Sequence, residues 1–367
     1  MKTIDDIKLI LYNPENKENR IVGNFLSKKI KTKTFDNENE LGVLIEESKG
    51  RGLKPKEVLI LKKFKGRVFQ KCPGSPNVIC CNYLLLNTCF DCLYDCTYCF
   101  LNSYLNAYGI TQFINLDATV NEIKENIDNS TGHVYRIGTG EFTDSLMFDE
   151  MTGIAESIIT GTANMKNVMI EFKTKSSNVD HLLNIKEKGN TVMAWSLNTD
   201  RNIELYEQGT ASLDERIKAA VKADKAGYFL AFHFDPVIIY DDFMKEYFAI
   251  IDRIFKEVNP DRVVWISIGG FRYSPGFNDI ISEKFPWERL TTEEMFPGID
   301  GKYRYIKNKR VEIYKSINER IKKHSKKPFV YLCMESGNVW DSVFGRYYKS
   351  SDELFLDLSN HMKENFL

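Results

Sequence analysis

Three cysteines, Cys92, Cys96 and Cys99, lie in the run Cys-Leu-Tyr-Asp-Cys-Thr-Tyr-Cys, where three and then two residues separate the thiols. Cysteine thiolates are the side chains that hold iron–sulfur clusters. The spacing predicts three thiolates that converge on one metal centre, with no fourth cysteine at the spacing of an electron-transfer cluster. A four-iron cluster with three protein ligands keeps one iron open to another ligand, which indicates a reactive centre.

A structural zinc site is the alternative for the same loop. Cys89 stands three positions before Cys92, so the loop also contains two Cys-x-x-Cys pairs. Zinc ribbons usually separate such pairs by about 15–20 residues, whereas only three residues separate them here. A zinc-stabilised module that binds nucleic acid without catalysis remains an alternative hypothesis.

The composition is that of a globular protein with a sizeable core, since 43% of the 367 residues are hydrophobic. A formal net charge of −1 excludes a strong overall field that would draw nucleic acid to the protein. The N-terminus lacks an apolar signal segment, and no run is apolar enough to span a membrane. We therefore expect a cytoplasmic protein without membrane contact, in which the cluster of cysteines at residues 72–99 points to metal ligation rather than disulfides.

From residue 80 onward, short β-rich runs alternate with longer amphipathic segments. Such alternation is typical of parallel βαβ units, and six or seven units predict a complete or partial (β/α) barrel. The expected strands are 81–86, 133–137, 168–173, 191–197, 228–234, 262–268 and 328–333, and the expected helices include 118–128, 180–188, 212–226, 242–258 and 309–324. We expect an α/β fold with an N-terminal α/β region at 1–78, the barrel at 79–340 and a C-terminal helical tail at 341–367.

Polar residues and glycines follow the predicted strands at the points where these strands end. The carboxyl ends of barrel strands are where chemistry takes place. Glycine lets the backbone approach a ligand closely, and a carboxylate such as Glu141 would accept hydrogen bonds from an ammonium group. The alternatives are an ordinary turn at the glycines and packing or solvation of the other side chains. The candidate site residues at these exits are Gly138, Gly140, Glu141, Lys175, Ser196, Asn198 and Cys333.

Two basic stretches interrupt the otherwise neutral charge pattern, one at residues 51–71 and one at residues 302–327. Tyr303, Tyr305 and Tyr314 alternate with basic residues in the second stretch. Basic groups mixed with aromatic rings can hold phosphates and stack on bases. The second stretch is therefore a candidate DNA contact, and a solvated helix face is the alternative.

The chain from about residue 80 resembles the radical SAM superfamily and, within it, spore photoproduct lyase and its DNA-repair-photolyase-like relatives. The resemblance rests on the three-cysteine loop, with Tyr98 directly before its last cysteine, and on shorter motifs in the family's order. These motifs are Phe113-Ile-Asn-Leu-Asp117, Thr174-Lys175, Val179-Asp-His-Leu-Leu183, Ser196-x-Asn198, Gly209-Thr-x-Ser-x-Asp214-x-Arg216, Ala226-Gly-Tyr228 and Gly301-Lys-Tyr-x-Tyr305.

The resemblance implies a partial (β/α)6 TIM-like barrel of the radical SAM type. It implies a [4Fe-4S] cluster held by Cys92, Cys96 and Cys99, with S-adenosyl-L-methionine on the open iron. In that family, reduction of the cluster cleaves the bound molecule to a 5′-deoxyadenosyl radical, which abstracts hydrogen from a thymine photoproduct in DNA. A flavodoxin or ferredoxin-type protein would supply the electron, and the sequence does not determine the oligomeric state.

The resemblance also implies roles for single residues. Lys175, Ser196 and Asn198 would contact the cofactor, together with the strand-exit residues named above. Tyr98 would belong to the radical relay that regenerates the cofactor.

Two departures from the family pattern concern the hydrogen donor and the relay. Phe142 stands where the family has a donor cysteine, and Phe100 stands where it has a second relay tyrosine. Cys333 is the candidate replacement donor, and a buried, inert thiol is its alternative. Radical SAM modification of a peptide or small molecule is therefore a competing hypothesis. The additional cysteines Cys72, Cys80 and Cys81 also lie outside the family pattern. We expect them to be either structural thiols or ligands of a second metal.

Overall fold

Two largely parallel sheets organise the chain in a computed structural model, which describes residues 1–105, 108–116, 119–127 and 132–367. The strands are β1 (Leu9–Tyr12), β2 (Lys31–Thr34), β3 (Val58–Lys62), β4 (Phe69–Lys71), β5 (Leu84–Leu86), β6 (Cys89–Phe90), β7 (Asp95–Cys96), β8 (Ile110–Phe113), β9 (Tyr135–Gly138), β10 (Val168–Thr174), β11 (Thr191–Ser196), β12 (Glu207–Gln208), β13 (Phe229–Val237), β14 (Val263–Gly270), β15 (Arg272–Tyr273), β16 (Phe296–Pro297), β17 (Tyr303–Arg304) and β18 (Phe329–Leu332).

The helices surround these sheets. They are α1 (Arg20–Leu26), α2 (Glu38–Gly50), α3 (Leu101–Tyr104), α4 (Thr119–Asn126), α5 (Asp149–Thr152), α6 (Ile154–Thr162), α7 (Asp200–Tyr206), α8 (Leu213–Lys225), α9 (Phe243–Glu257), α10 (Phe277–Lys284), α11 (Lys307–His324), α12 (Gly337–Phe344) and α13 (Ser351–Asn365). No helix in the described ranges has the length and apolar character needed to cross a bilayer.

The N-terminal sheet has the strand order β2-β1-β3-β8-β6, and all neighbours are parallel except β8 and β6. Alternate residues of its strands face opposite sides, as the pleat requires. Leu9 and Val58 pack with α2 on one face, whereas Ile10 and Leu59 pack with α1 on the other. The expected N-terminal α/β character is confirmed, and through β6 this sheet leads directly into the cysteine loop.

The larger sheet forms a partial barrel with the order β18-β14-β13-β11-β10-β9-β5-β4. Its strands from β5 to β18 are parallel and follow one another in space as they do in the chain, and β4 adds an antiparallel edge. All seven predicted strands are present, so the predicted partial barrel is confirmed. The central strands are buried along their whole length, because helices cover the outer face of a parallel sheet.

Three expected barrel helices are confirmed as α8, α9 and α11. The helix expected at 180–188 is wrong, because only a single 3₁₀ turn forms at Asp180–Leu182. The carbonyl oxygen of Leu182 accepts hydrogen bonds from the Tyr228 hydroxyl (2.6 Å) and the Ile185 amide (3.3 Å), which ends the helical ladder. The helix expected at 118–128 is present as α4, although its predicted ends Ala118 and Asp128, like Asp117 of the family motif, lie outside the described residues.

Residues 72–82, here called the gap segment, connect the two edges of the open barrel. The segment starts at the end of β4, where the Cys72 amide donates to the Tyr83 carbonyl at 2.8 Å. It reaches the other edge through the Ile79 amide, which donates to the Glu335 carbonyl beyond β18 at 2.8 Å. The segment therefore brings its cysteines to the side of the barrel that the sheet leaves open.

A buried carboxylate, Glu171 on β10, organises the barrel interior. One oxygen accepts hydrogen bonds from Tyr83 (2.6 Å) and Arg136 (2.9 Å), and the other accepts from Trp265 (2.7 Å) and lies 2.9 Å from Nε2 of His233. Burial opposes ionisation of Glu171, but Arg136 and His233 outweigh it and hold the pKa of the carboxyl well below its usual range. The Arg136 guanidinium lies 4.4 Å from the ring centroid of Tyr83 and 4.5 Å from that of Trp265.

Candidate functional site

The three cysteines of the loop follow β6 and lie against the hydrophobic cluster of the N-terminal sheet. Cys96 is buried, Cys92 and Cys99 are half-buried, and none of them forms a disulfide. The loop begins at Asp91, which adopts a φ of 69° and accepts a hydrogen bond from the Cys92 amide at 2.8 Å. Asp91 also pairs with Lys56, so a buried cation lies beside the loop.

The electrostatics of the loop depend on burial and on two lysines. Burial, together with Asp144, raises the pKa of the Cys92 thiol to about 12. Burial raises the pKa of Cys99 as well, while Lys56 and Lys175 oppose this rise. Because a thiol must lose its proton to bind a metal, these lysines favour the ligating form. The donor set of three free thiols and adjacent cations therefore fits an anionic iron–sulfur cluster.

That the three thiols hold one metal centre stays a prediction from the sequence. Across the described ranges, no group of three or more His, Cys, Asp and Glu side chains is placed to hold a single metal ion. In a four-iron cluster each thiolate binds a different iron, so the sulfur atoms need not surround one point. The Cys89 thiol lies 3.7 Å from the carbonyl oxygens of Phe90 and Asp91.

Glu207 fastens the cysteine loop to the barrel. Its strand β12 pairs antiparallel with β7, which places Glu207 opposite Cys96. The Glu207 carboxylate accepts hydrogen bonds from the Tyr98 hydroxyl and from Arg216 Nη2 (2.5 Å), and Arg216 Nη1 donates to the Ser196 carbonyl at 2.9 Å. Sequence reasoning missed Glu207, although it stands two residues before the motif that contains Arg216.

Lys175, which follows β10, lies beside the cysteine loop. Its ammonium nitrogen is 5.7 Å from the centroid of the Tyr98 ring. Its amide donates to Asp144 Oδ2 at 2.7 Å, and Asp144 Oδ1 accepts from the Thr174 hydroxyl at 2.7 Å. Asp144 thus connects the loop after β9 to the exit of β10. In the sequence, Asp144 could have been recognised as a site residue from its position six residues after Gly138.

Ser196 and Asn198, predicted to contact a ligand, are both buried. The Asn198 side chain accepts hydrogen bonds from Tyr247 (2.6 Å) and Asn202 (2.9 Å), and it donates to Glu207 at 3.3 Å. The side chain of Asn198 is therefore part of the polar network that holds Glu207.

The glycines after β9 make room for protein atoms. A Cβ atom added to Gly138 would lie 1.4 Å from the Tyr83 hydroxyl oxygen, so this glycine admits the Tyr83 ring. A Cβ atom on Gly140 would lie 2.8 Å from Ser145 Oγ. The two glycines thus make room for other side chains of this protein. Glu141 lies 3.8 Å from the ammonium nitrogen of Lys173 and is partly exposed.

Cys333 stands at the exit of β18, on the open side of the barrel. Its thiol lies 3.3 Å from Arg272 Nη2, and Arg272 Nη1 donates to Asp235 at 2.9 Å. Burial and Asp235 raise the pKa of Cys333 well above its usual value, so the thiol keeps its hydrogen at neutral pH.

Phe142, at the position of the family's donor cysteine, is buried in an aromatic environment. Its ring stacks on Tyr104 with centroids 5.7 Å apart, and it contacts Phe90 edge-on at 5.7 Å. Cys72 and Cys99 pack against the same hydrophobic cluster.

The arginines of the basic stretch at 302–327 are paired within the protein. Ion pairs join Arg304 with Asp300, Arg310 with Glu335, and Arg320 with Asp252. The rings of Tyr305 and Tyr314 are buried. The expectation that these two tyrosines stack on DNA bases is therefore wrong, because both rings are packed within hydrophobic clusters of the protein.

Known proteins have sequences similar to this chain. Residues 79–332 match the family model described as spore photoproduct lyase. The chain is 26% identical over 206 residues to spore photoproduct lyase of Bacillus subtilis (strain 168), which covers 55% of this chain and 60% of that protein. It is 24% identical over 221 residues to the enzyme of Clostridium acetobutylicum, covering 57% and 66% respectively. These matches span less than two thirds of the length of each curated relative.

Solved structures of spore photoproduct lyase have the same fold. The complex with dinucleoside spore photoproduct matches with a TM-score of 0.75 at 21% identity, covering 89% of this chain and 98% of that one. A variant with bound AdoMet and dinucleoside spore photoproduct matches with a TM-score of 0.74 at 22% identity, with the same coverage. Since the family model spans more than half of the sequence, the chain belongs to the spore photoproduct lyase family.

Proposed function

We propose that this protein is a radical SAM lyase that repairs a thymine photoproduct in DNA, using a [4Fe-4S] cluster and S-adenosyl-L-methionine. The observation that carries the proposal is the loop of three free cysteines, held at the barrel by Glu207, in a chain of the spore photoproduct lyase family. One solved relative with this fold has both AdoMet and dinucleoside spore photoproduct bound.

Cys92, Cys96 and Cys99 would hold the cluster. The bound cluster and cofactor would supply a carbon radical that removes one hydrogen atom from the substrate. The task of this chain is to bind, orient and shield these groups. The ammonium of Lys175 beside Tyr98 provides positive charge for a carboxylate, and the partly exposed Glu141 provides an acceptor for an ammonium group.

Tyr98 would be the relay residue nearest to the cluster. Burial and the Glu207 carboxylate raise the pKa of the phenol well above its usual value, so the hydroxyl stays protonated at neutral pH. A protonated phenol has a hydrogen atom to give, and its hydrogen bond to Glu207 keeps it oriented. Ser196 and Asn198 would act through the backbone and polar network around Glu207.

The partners follow from the same proposal. DNA would be the substrate, and a flavodoxin or ferredoxin-type protein would deliver the electron to the cluster. With these partners, the reaction would take place in the cytoplasm.

The test is turnover by the anaerobically reconstituted full chain with dinucleoside spore photoproduct and a chemical reductant. We expect 5′-deoxyadenosine to form and the photoproduct to be converted into the two restored thymines, while the undamaged dinucleoside is left unchanged. Cleavage of the cofactor without consumption of the photoproduct would contradict the repair proposal and favour a peptide or small-molecule substrate.

Cys333 is the thiol that we propose as hydrogen donor to the product radical, because Phe142 has no labile hydrogen. Thiol hydrogens exchange with solvent, so turnover in heavy water should introduce deuterium into the restored thymine. We expect Cys333→Ala to abolish most of this deuterium incorporation, measured by mass spectrometry of the product. The matched control is Cys89→Ala, whose thiol faces the backbone of its own strand. Unchanged incorporation in Cys333→Ala would assign the donor to a different group.

A further inference from the structure

Two exposed aromatic rings lie directly beyond the cysteine loop, and the proposed chemistry leaves them without a role. Phe100 is 43% exposed and Tyr104 is 57% exposed. Their ring centroids are 5.8 Å apart, at the start and the end of the short helix α3. Tyr104 is supported from below, because its ring stacks on the buried Phe142 at an angle of 19°.

The aromatic contacts continue from Phe142 into the protein. Phe142 contacts Phe90 at 5.7 Å, and Phe90 contacts Phe64 at 5.7 Å. Phe64 in turn stacks on Phe113 with centroids 4.4 Å apart. This row of packed rings links the exposed pair to residue 64, which lies within the first basic stretch. The two exposed rings are therefore connected, through packed aromatic rings, to the first basic stretch.

The basic residues around this end of the row are exposed and carry unpaired charge. Lys63, Lys65, Arg67 and Lys71 all face solvent, and none of them forms an ion pair with a described residue. Residues 63–71, here called the basic segment, contain no acidic residue. This pattern is the opposite of the second basic stretch, where the arginines are paired with carboxylates.

The basic segment ends at the open side of the barrel. Lys71 closes β4, and the next residue, Cys72, begins the gap segment. Cys72 packs against the same hydrophobic cluster as Phe142 and Cys99. A chain of phosphates lying on the basic segment would therefore run past the barrel opening and the cysteine loop.

We propose that the basic segment together with Phe100 and Tyr104 forms a binding rim for one DNA strand. The four basic side chains would bind phosphates, and the exposed rings would stack on a base taken out of the helix. Enzymes that act on a base extrude it from the stack, and aromatic platforms hold unpaired bases with little sequence preference. The inference rests on the proposed function, because it assigns the surface that presents the DNA substrate to the site.

The experiment measures binding of fluorescent oligothymidylate to the reconstituted full chain at several salt concentrations. We expect Tyr104→Ala to weaken binding by about fivefold to 150-fold, the range for loss of one stacked base. Tyr104→Phe should bind like the wild type, since stacking requires the ring and not the hydroxyl group. Iron content and circular dichroism establish that each variant is folded and loaded.

The basic segment is tested by changing its four basic residues to glutamine. Each phosphate contact contributes about 0.7 to the slope of log affinity against log salt for a single strand. We expect the slope to become shallower by up to about 3 in the quadruple variant. The matched control, Lys315→Gln with Lys323→Gln, removes two exposed charges from α11 and should leave the slope unchanged.

Failure of this inference is distinguishable from failure of the proposed function. If the wild type binds the oligonucleotide and repairs the photoproduct, but the rim variants bind with unchanged affinity and slope, the rim assignment is overturned and the function stands. If the wild type neither binds DNA nor consumes the photoproduct, both proposals are overturned. Cofactor cleavage without DNA should be unchanged in the rim variants, because neither the rings nor the basic segment belong to the cluster ligands.

Discussion

Replacing any one of Cys92, Cys96 and Cys99 with alanine should reduce formation of 5′-deoxyadenosine to the level measured without enzyme. A four-iron cluster held by three thiolates has no spare protein ligand, so loss of one thiolate removes both the cluster and its reactive iron. The measurement is chromatography of 5′-deoxyadenosine after anaerobic reconstitution, with iron per chain and visible absorbance determined on the same sample.

Cys89→Ala is the control that separates the cluster from the zinc alternative. Cys89 directs its thiol to the carbonyl oxygens of Phe90 and Asp91, so its removal should leave iron content and cofactor cleavage near the wild-type level. A zinc site built from two Cys-x-x-Cys pairs would instead need all four thiols. Cofactor cleavage that persists in all three of the loop variants would overturn the assignment of the cluster.

Replacing Glu171 with alanine should lower the free energy of unfolding by about 3–5 kcal/mol, as expected when one partner of a buried ion pair is removed. The loss has a specific cause: Arg136 would remain buried with its charge uncompensated, and Tyr83, His233 and Trp265 would lose their shared partner. Denaturant unfolding of the metal-free protein measures this difference.

The matched control is Glu187→Ala, an exposed glutamate without an ion pair to any described residue, which should change the free energy of unfolding by less than about 0.5 kcal/mol. Glu171→Gln keeps the shape and one acceptor oxygen, so we expect an intermediate loss, and this variant serves where the alanine variant does not fold. If the Glu171→Ala protein were as stable as the control, the network around Glu171 would make no measurable contribution to the free energy of unfolding.

The contribution of Glu171 to the free energy of unfolding should depend on pH in a predictable direction. The pKa of Glu171 is held well below its usual range in the folded protein, mainly by Arg136 acting against the effect of burial. Ionised Glu171 therefore stabilises the fold at neutral pH, and this contribution is lost as the pH falls through the folded-state pKa. The difference in unfolding free energy between the wild type and Glu171→Ala should accordingly narrow in acid.

Local patterns in the sequence predicted much of the architecture. Spacing within eight residues identified the cysteine loop, and alternation of short apolar runs with amphipathic segments identified all seven parallel strands of the barrel. Both signals depend on neighbours in the chain, so they can be read without knowing the fold. The segment 180–188 had a helical pattern, but a hydrogen bond from Tyr228 to Leu182, 46 residues away, replaced the helix with one turn.

The chemical surroundings of the site depend on contacts between distant residues. Tyr98 and Glu207 are 109 residues apart, and Tyr83 and Glu171 are 88 apart, so no local spacing indicates either pair. The role of Gly138 also depends on a residue distant in the chain, because its lack of a side chain makes room for the ring of Tyr83.

By itself, the sequence determined that three thiolates stand in one short loop at the exit of the first barrel strand, because this follows from spacing and strand order. Only the tertiary structure decided which basic side chains are paired with carboxylates and which remain exposed to solvent. It paired the arginines of the second basic stretch with Asp252, Asp300 and Glu335, while it left the basic residues of the basic segment exposed. The physical reason is that a charge is neutralised by whatever the fold brings within a few ångströms. Asp252 is 68 residues from Arg320, and Glu335 is 25 residues from Arg310.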